Sequence, residues 1–156
     1  MTAATTFPRA VALEVRDECL CFAAQRTARE LARRFDRLFA GLGITNGQFS
    51  MMVAMGGMGG PKLGELANFL GMDHATVTAA VRNLEKRGLV ALRPDGADRR
   101  ARRVSITAAG TALIAKAVPL WRRVHQILAA ETGNETSEIR SELMRLAPPL
   151  PPPKAA

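Results

Sequence analysis

The 156-residue chain contains no tyrosine and a single tryptophan, and aromatic residues make up only 4% of it. The core is therefore expected to rest on leucine, valine, alanine and methionine. Cysteine is almost as scarce: Cys19 and Cys21 stand two apart in CLCF. That spacing cannot staple a domain, which excludes a disulfide scaffold and points to a reducing, cytoplasmic setting. Long apolar runs are missing. No stretch approaches the ~18 apolar residues of a membrane span, and the N-terminal MTAATTFPRAVALEVRDE has no apolar signal core, so no membrane partner is expected. The two histidines, His74 and His125, are not placed to complete a metal set with the cysteines, so neither metal nor cofactor is expected. No Ser/His/Asp set, phosphate loop or carboxylate pair stands out, and Cys21 has no histidine near it in sequence. An enzyme is not expected.

What the chain does have is positive charge. Its 22 Lys/Arg against 14 Asp/Glu leave a net charge of +8 and a pI near 10.9. Such a balance suits nucleic acid, an anionic surface or an acidic partner. Arg99, Arg100, Arg102 and Arg103 fall within five residues of PDGADRRARRVSIT. Like charges this close repel, so the loop either lies idle in water or meets a polyanion.

Residues 1–12 read as loosely ordered. From Leu13 to Ala40 a helix is expected, with Ala24, Ala28, Leu31, Phe35, Leu38 and Phe39 recurring at threes and fours. Its other face carries Arg26, Arg29, Arg33, Arg34 and Arg37. Thr45 to Gln48 reads as a capping box for a second helix, Phe49 to about Met55. MGGMGG then suggests a flexible link, and Pro61 a third helix start, with Leu63, Leu66, Ala67 and Leu70 on one face and Gly71 closing it. Asp73 is a good N-cap for a fourth helix, His74 to Arg87, stopped by Gly88. Residues 89–93 and 102–107 read as two strands around a turn. Thr107 should cap a long helix from Ala108 to about Ala130, kinked or split at Pro119. A last helix, Thr136 to Leu146, leads into an extended proline-rich tail. Two short helices at a tight turn followed by a hairpin make a winged helix-turn-helix, so the fold expected is mainly α with a small β-hairpin wing.

In DHATVTAAVRNLEKRG, Val77, Val81 and Leu84 share one face. At about 100° per residue the opposite face holds Ala75, Ala79, Arg82 and Lys86, flanked by Thr78 and Asn83. Small exposed residues let a helix approach a groove wall, and an alanine methyl can touch a thymine methyl. Arg82 can reach guanine edges or a phosphate, Thr76 and Thr78 suit phosphates or bases, and His74 lies where a phosphate would meet the positive helix end. A solvated surface helix remains the bland alternative for this segment alone.

The stretch KLGELANFLGMDHATVTAAVRNLEKRGLVALRPDGADRRARRVSITAAG resembles the DNA-binding core of the MarR family of bacterial transcription regulators. The ELA…LG helix, the capped TVT helix, the LEKRGLV exit and a D-x-x-D-R-R wing followed by T-x-x-G match together. The resemblance runs over roughly residues 19–147. It implies homodimers whose first and last helices interdigitate, each subunit placing a recognition helix in one half of a near-palindromic double-stranded DNA operator. It implies that Arg99 or Arg100 enters the minor groove, that Asp98 orients the loop by arginine pairing, and that one of Arg102 and Arg103 contacts phosphate while the other is structural. The implied organisation is an N-terminal segment and first dimerisation helix at 1–44, the winged region at 45–107, C-terminal dimerisation helices at 108–147 and the tail at 148–156. Ala79 departs from the pattern, since many relatives carry a basic residue there.

CLCF is similar in position to the LCF stretch of the organic-hydroperoxide regulator branch (OhrR), in which a cysteine is oxidised and DNA is released. The match points to Cys21 as a redox residue, with Cys19 beside it. That branch holds its cysteine with partner tyrosines, which this chain lacks, and packing as a small hydrophobe is the alternative role. The family's other switch is a small ligand, and by position Arg26, Phe49, Met52, Met55 and Trp121 would line its pocket. The function expected is a dimeric, sequence-specific DNA-binding transcription regulator, cytoplasmic and nucleoid-associated, a repressor released by a small ligand. The alternatives are a Cys21-based peroxide sensor and a non-specific architectural DNA-binding protein.

Overall fold

The computed structural model describes residues 7–96, 98 and 101–146. Within them lie α1 (Arg9–Glu18), α2 (Leu20–Phe39), α3 (Asn46–Gly57), α4 (Leu63–Leu70), α5 (His74–Lys86), β1 (Val90–Pro94), β2 (Arg102–Ile106), α6 (Ala108–Thr132) and α7 (Thr136–Leu146). A 3₁₀ turn at Ala40–Leu42 joins α2 to α3. The strands are antiparallel, pairing Val90 with Ile106 through Pro94 with Arg102. This is a mainly helical winged helix-turn-helix, as expected. The proline-rich tail and wing positions 97, 99 and 100 lie outside the described residues.

Three local expectations in the N-terminal half need correction. The first helix starts earlier, at Arg9, and is broken at Cys19, which is extended at φ −77° and ψ 107°. Its Sγ accepts from the Phe22 N–H at 3.4 Å and so caps α2. Glycines Gly56 and Gly57 extend α3 instead of leaving it, and only Gly59 and Gly60 turn, both at positive φ. A Cβ at Gly56 would stand 3.2 Å from Ile106 Cδ1, so the missing side chain makes room for β2. Pro61 does not open a helix. It is buried, and its carbonyl accepts from Val104 N–H at 3.0 Å, while Lys62 bridges to Arg103. The segment before α4 thus lies against β2, and α4 starts at Leu63 with Glu65 accepting from Lys62 N–H at 2.8 Å.

The core runs between α2, α3, α4, α5 and α6 and includes Phe39, Met52, Met55, Leu66, Val77, Val81, Leu84, Val104 and Val124. Aromatics contribute more than their number suggests. Phe35, Phe39 and Phe49 are all buried, and the Phe39 and Phe49 rings lie 4.9 Å apart. Helix α6 continues through Pro119 without splitting. Pro119 is exposed, and one lost backbone bond there is tolerated because Ala117 and Val124 are held in the core.

Candidate nucleic-acid interface

Helix α5 is set by its two ends. Asp73 accepts from Thr76 N–H at 2.8 Å and from the Thr76 hydroxyl. The Thr76 hydroxyl first, then its backbone N–H, hold the Asp73 carboxyl below its ordinary value. A depressed folded value means that this stabilisation is present above the unfolded carboxylate range, about 4, and is lost as pH falls through the folded value. Asp73→Ala is therefore expected to lower the melting temperature at neutral pH. Its deficit against the parent chain should shrink in acid; a deficit equal at all pH would show that Asp73 does not act through its charge.

On the inner face, Val77, Val81 and Leu84 are fully buried. On the outer face, His74, Ala75, Thr76, Ala79, Arg82, Asn83 and Lys86 are exposed, and Thr78 is half-buried. The Thr78 hydroxyl donates to the His74 carbonyl at 2.7 Å. Asn83 Oδ1 accepts from Gln48 Nε2 at 3.4 Å, which ties it inward.

A groove lies between α5, the start of α4 and β2. His74, Thr78 and Arg82 line it from the helix, Arg102 from the wing, and Lys62, Gly64 and the Glu65 carboxylate, which caps the Lys62 N–H, from the start of α4. Cations thus approach from three chain segments, which suits a phosphate backbone. Lys62 carries no signal in sequence beyond its place before LGELANFL. The β2 pairing puts it beside the arginines.

The wing is built around a buried aspartate. Asp95 is 4% exposed. Its carboxylate takes the Arg103 Nε–H at 2.5 Å and the Asp98 N–H at 3.0 Å, while Arg103 also donates to the Gly60 carbonyl at 2.9 Å. Arg103 is thus held within the wing by Asp95 and Gly60 while still exposed, and Arg102, on the other side of the strand, faces the groove. Asp95 was legible only as part of the wing motif, because its burial depends on Arg103 and the α3–α4 link folding over it. Arg99 and Arg100 lie outside the described residues.

The residues expected to sense an effector are not brought together. Phe49, Met52 and Met55 are sealed in the core, at 5%, 0% and 1% exposure. Trp121 is exposed and packs on His125, ring centroids 4.1 Å apart. Arg26 lines a separate groove with Thr27, Glu30, Leu31, Arg34, Arg37 and Glu131. Methionines at helical spacing fit a core as well as a pocket, and here the packing of α3 made them core. In the single chain Cys21 is exposed, and its Sγ accepts from Gln25 Nε2 at 3.2 Å. Cys19 is half-buried outside the helix. Among the described residues no cluster of His, Cys, Asp and Glu could hold a metal, and no helix is long and apolar enough to cross a membrane.

With this geometry in view, a family model described as "MarR family" matches residues 42–101. The chain is 33% identical over 84 residues to the HTH-type transcriptional repressor NicR of Pseudomonas putida, a match spanning 54% of this chain and 53% of NicR. The chain thus spans about half the length of that relative. It is 24% identical over 127 residues to the organic hydroperoxide resistance transcriptional regulator of Bacillus subtilis, covering 81% of this chain and 86% of that one. Among solved structures, the M. tuberculosis transcriptional regulator MosR in complex with DNA superposes with a TM-score of 0.75 at 35% identity, covering 83% of this chain and 93% of that one.

Proposed function

Because the chain belongs to the MarR family of transcription regulators, we propose that it is a dimeric, sequence-specific DNA-binding repressor that a small effector releases from its operator. The observation that carries this reading is the outer face of α5, small at Ala75 and Ala79 and basic at Arg82 and Lys86, set beside the Lys62–Arg102 groove. A major groove admits such a helix. Ala75 and Ala79 approach the base edges, Arg82 reads them or braces the backbone, Thr76 is committed to the Asp73 cap, and His74, Lys62 and Arg102 meet phosphates. By the D-x-x-D-R-R motif, Arg99 or Arg100 is the residue proposed for the adjacent minor groove.

Dimerisation is supported by apolar side chains that the single chain leaves in water. Helices α1 and α7 bury no residue, yet Val11, Leu13, Val15, Leu143, Met144 and Leu146 are exposed on them, with Leu20 and Phe22 at the start of α2. A second copy would bury them, and a two-fold dimer meets a near-palindromic site. The Arg26–Arg34–Arg37 groove suits an anionic effector, and Arg34 already holds the Glu131 carboxylate through two bonds of 2.6 Å. Localisation with the DNA, in the cytoplasm, follows from this reading, and turnover of a substrate has no place in it.

A second reading, release by oxidation at Cys21, is favoured by the exposure of that thiol and by the similarity to the hydroperoxide regulator. The test of both is selection of bound duplexes from a random library, on reduced protein and again after hydroperoxide. An enriched near-palindrome with half-sites about one helical turn apart is expected. Loss of enrichment after oxidation, restored by thiol, would select the redox switch. Salt-sensitive binding with no enriched sequence would overturn the proposal in favour of an architectural protein.

A further inference from the structure

Arg87 carries none of the roles above and Gln48 only that of a helix cap and a tie to Asn83, yet together they join three parts of the fold. Arg87 ends α5. Its Nη2 donates to the Gly43 carbonyl at 2.7 Å and its Nη1 to Gln48 Oε1 at 3.2 Å. Gly43 is left-handed at φ 67°, and a Cβ placed there would stand 3.7 Å from Arg87 Nη2, so the guanidinium lies directly over the corner between α2 and α3. Gln48 Oε1 also accepts from Thr45 N–H at 3.2 Å within the α3 capping box, while its Nε2 donates to Asn83 Oδ1. On the far side of the corner, Asp36 of α2 accepts from Asn46 N–H at 2.5 Å.

We propose that the Gln48–Arg87 pair is a positioning device for the recognition helix, fixing its rotation about its own axis and tying it to α2. Asn83 and Arg87 lie one turn apart on α5, and the one Gln48 side chain engages both. Two holds a turn apart restrain rotation and sliding together, in addition to the buried face of Val77, Val81 and Leu84. At the helix surface, ~5–6 Å from the axis, a rotation of about 20° moves a side chain by about 2 Å. That is enough to lose a bidentate contact from Arg82 to a base edge. Helix α2 carries Arg26, Arg34 and Arg37, so a shift of α2 at that groove reaches α5 through Asp36, Gly43 and Gln48. Arg87 is exposed, so its bonds add little to global stability. An effect on sequence discrimination without one on stability is the mark of positioning.

This inference rests on the proposed function, and its test separates the two. Full-length protein is titrated against the selected operator duplex and a scrambled duplex of equal length, at several salt concentrations. Arg87→Met is expected to weaken operator binding about tenfold and scrambled binding less than about twofold, with an unchanged salt slope and melting temperature. Gln48→Ala, which removes no charge, should reproduce the loss of discrimination, with a small fall in melting temperature because it also breaks the Thr45 capping box. The double variant should bind no more weakly than the weaker single, because both act through one device. Equal losses on both duplexes with a salt slope lower by about one would make Arg87 a phosphate contact and overturn the proposal. Additive losses in the double variant would overturn it as well. A parent chain that fails to prefer its operator would instead bring down the proposed function, and this inference with it.

Discussion

Gly110→Ala should lower the melting temperature by roughly 10 °C. Gly110 lies in the first turn of α6, where its N–H donates to Thr107 Oγ1 at 3.1 Å. The Thr107 hydroxyl in turn donates to the Gly88 carbonyl at 2.7 Å and its N–H to the Leu89 carbonyl at 3.1 Å. These bonds press the start of α6 against the start of β1. A Cβ on Gly110 would stand 2.1 Å from the Leu89 carbonyl oxygen and 2.7 Å from Ile106 Cγ2. The nearer atom is backbone, so no change of rotamer relieves the clash, and α6 must move off the wing. Overpacking of this kind costs typically 1–3 kcal/mol, with the upper end expected here. At about 2–4 °C per kcal/mol for a chain of this size, a drop near 10 °C follows. Gly57→Ala is the control. It is helical, and an added Cβ would meet nothing within 4 Å, so alanine there should stabilise slightly. Paired thermal melts of the two variants decide the matter, and equal melting temperatures would show that the α6–wing junction is looser than described.

Arg82→Ala should weaken binding to the selected operator about thirtyfold and relax the base preference at one position of each half-site. Arg82 is exposed on the outer face of α5, one turn beyond Thr78, in the groove it shares with Lys62 and Arg102. A good bidentate contact from an arginine to a base is worth about 1–3 kcal/mol of discrimination. Losing it should therefore cost far more on the operator than on a scrambled duplex. Arg100→Ala, at the wing, should weaken both duplexes alike and lessen the salt dependence by about one unit of slope. Repeating the duplex selection with each variant checks this. An unchanged Arg82→Ala motif would mean that Arg82 grips phosphate and that specificity comes from elsewhere on α5.

Much of this protein was legible in its residues because the deciding contacts are local. The Thr45–Gln48 capping box, Asp73 and Thr107 as helix caps and the Thr136–Leu146 helix depend on groups a few positions apart, and the two strands around the PDG turn on pairs no more than 16 positions apart. The face of α5 was legible too, since the helical repeat alone assigns Val77, Val81 and Leu84 to one side and Ala75, Ala79 and Arg82 to the other. The resemblance of residues 62–110 to a winged DNA-binding core rested on the same short-range signals.

What the residues did not reveal required distant segments to meet. The break at Cys19 came from a backbone choice that the 3.6-residue repeat runs straight across. Met52 and Met55 have the spacing of either a pocket or a core, and only the closure of α2, α4 and α6 over α3 made them core. Asp95 became the buried centre of the wing because Arg103 and the Gly60 carbonyl arrive from two other segments. Lys62 joined the groove through the pairing of its segment with β2, and Arg87 reached Gly43 across 44 positions of chain. Local propensity and periodicity set the elements and their faces. Which charges are held by bonds within the fold, as Arg87 and Arg103 are, and which are left to solvent was decided by tertiary packing, because an ion pair or a side-chain hydrogen bond exists only where both partners are brought within about 3 Å.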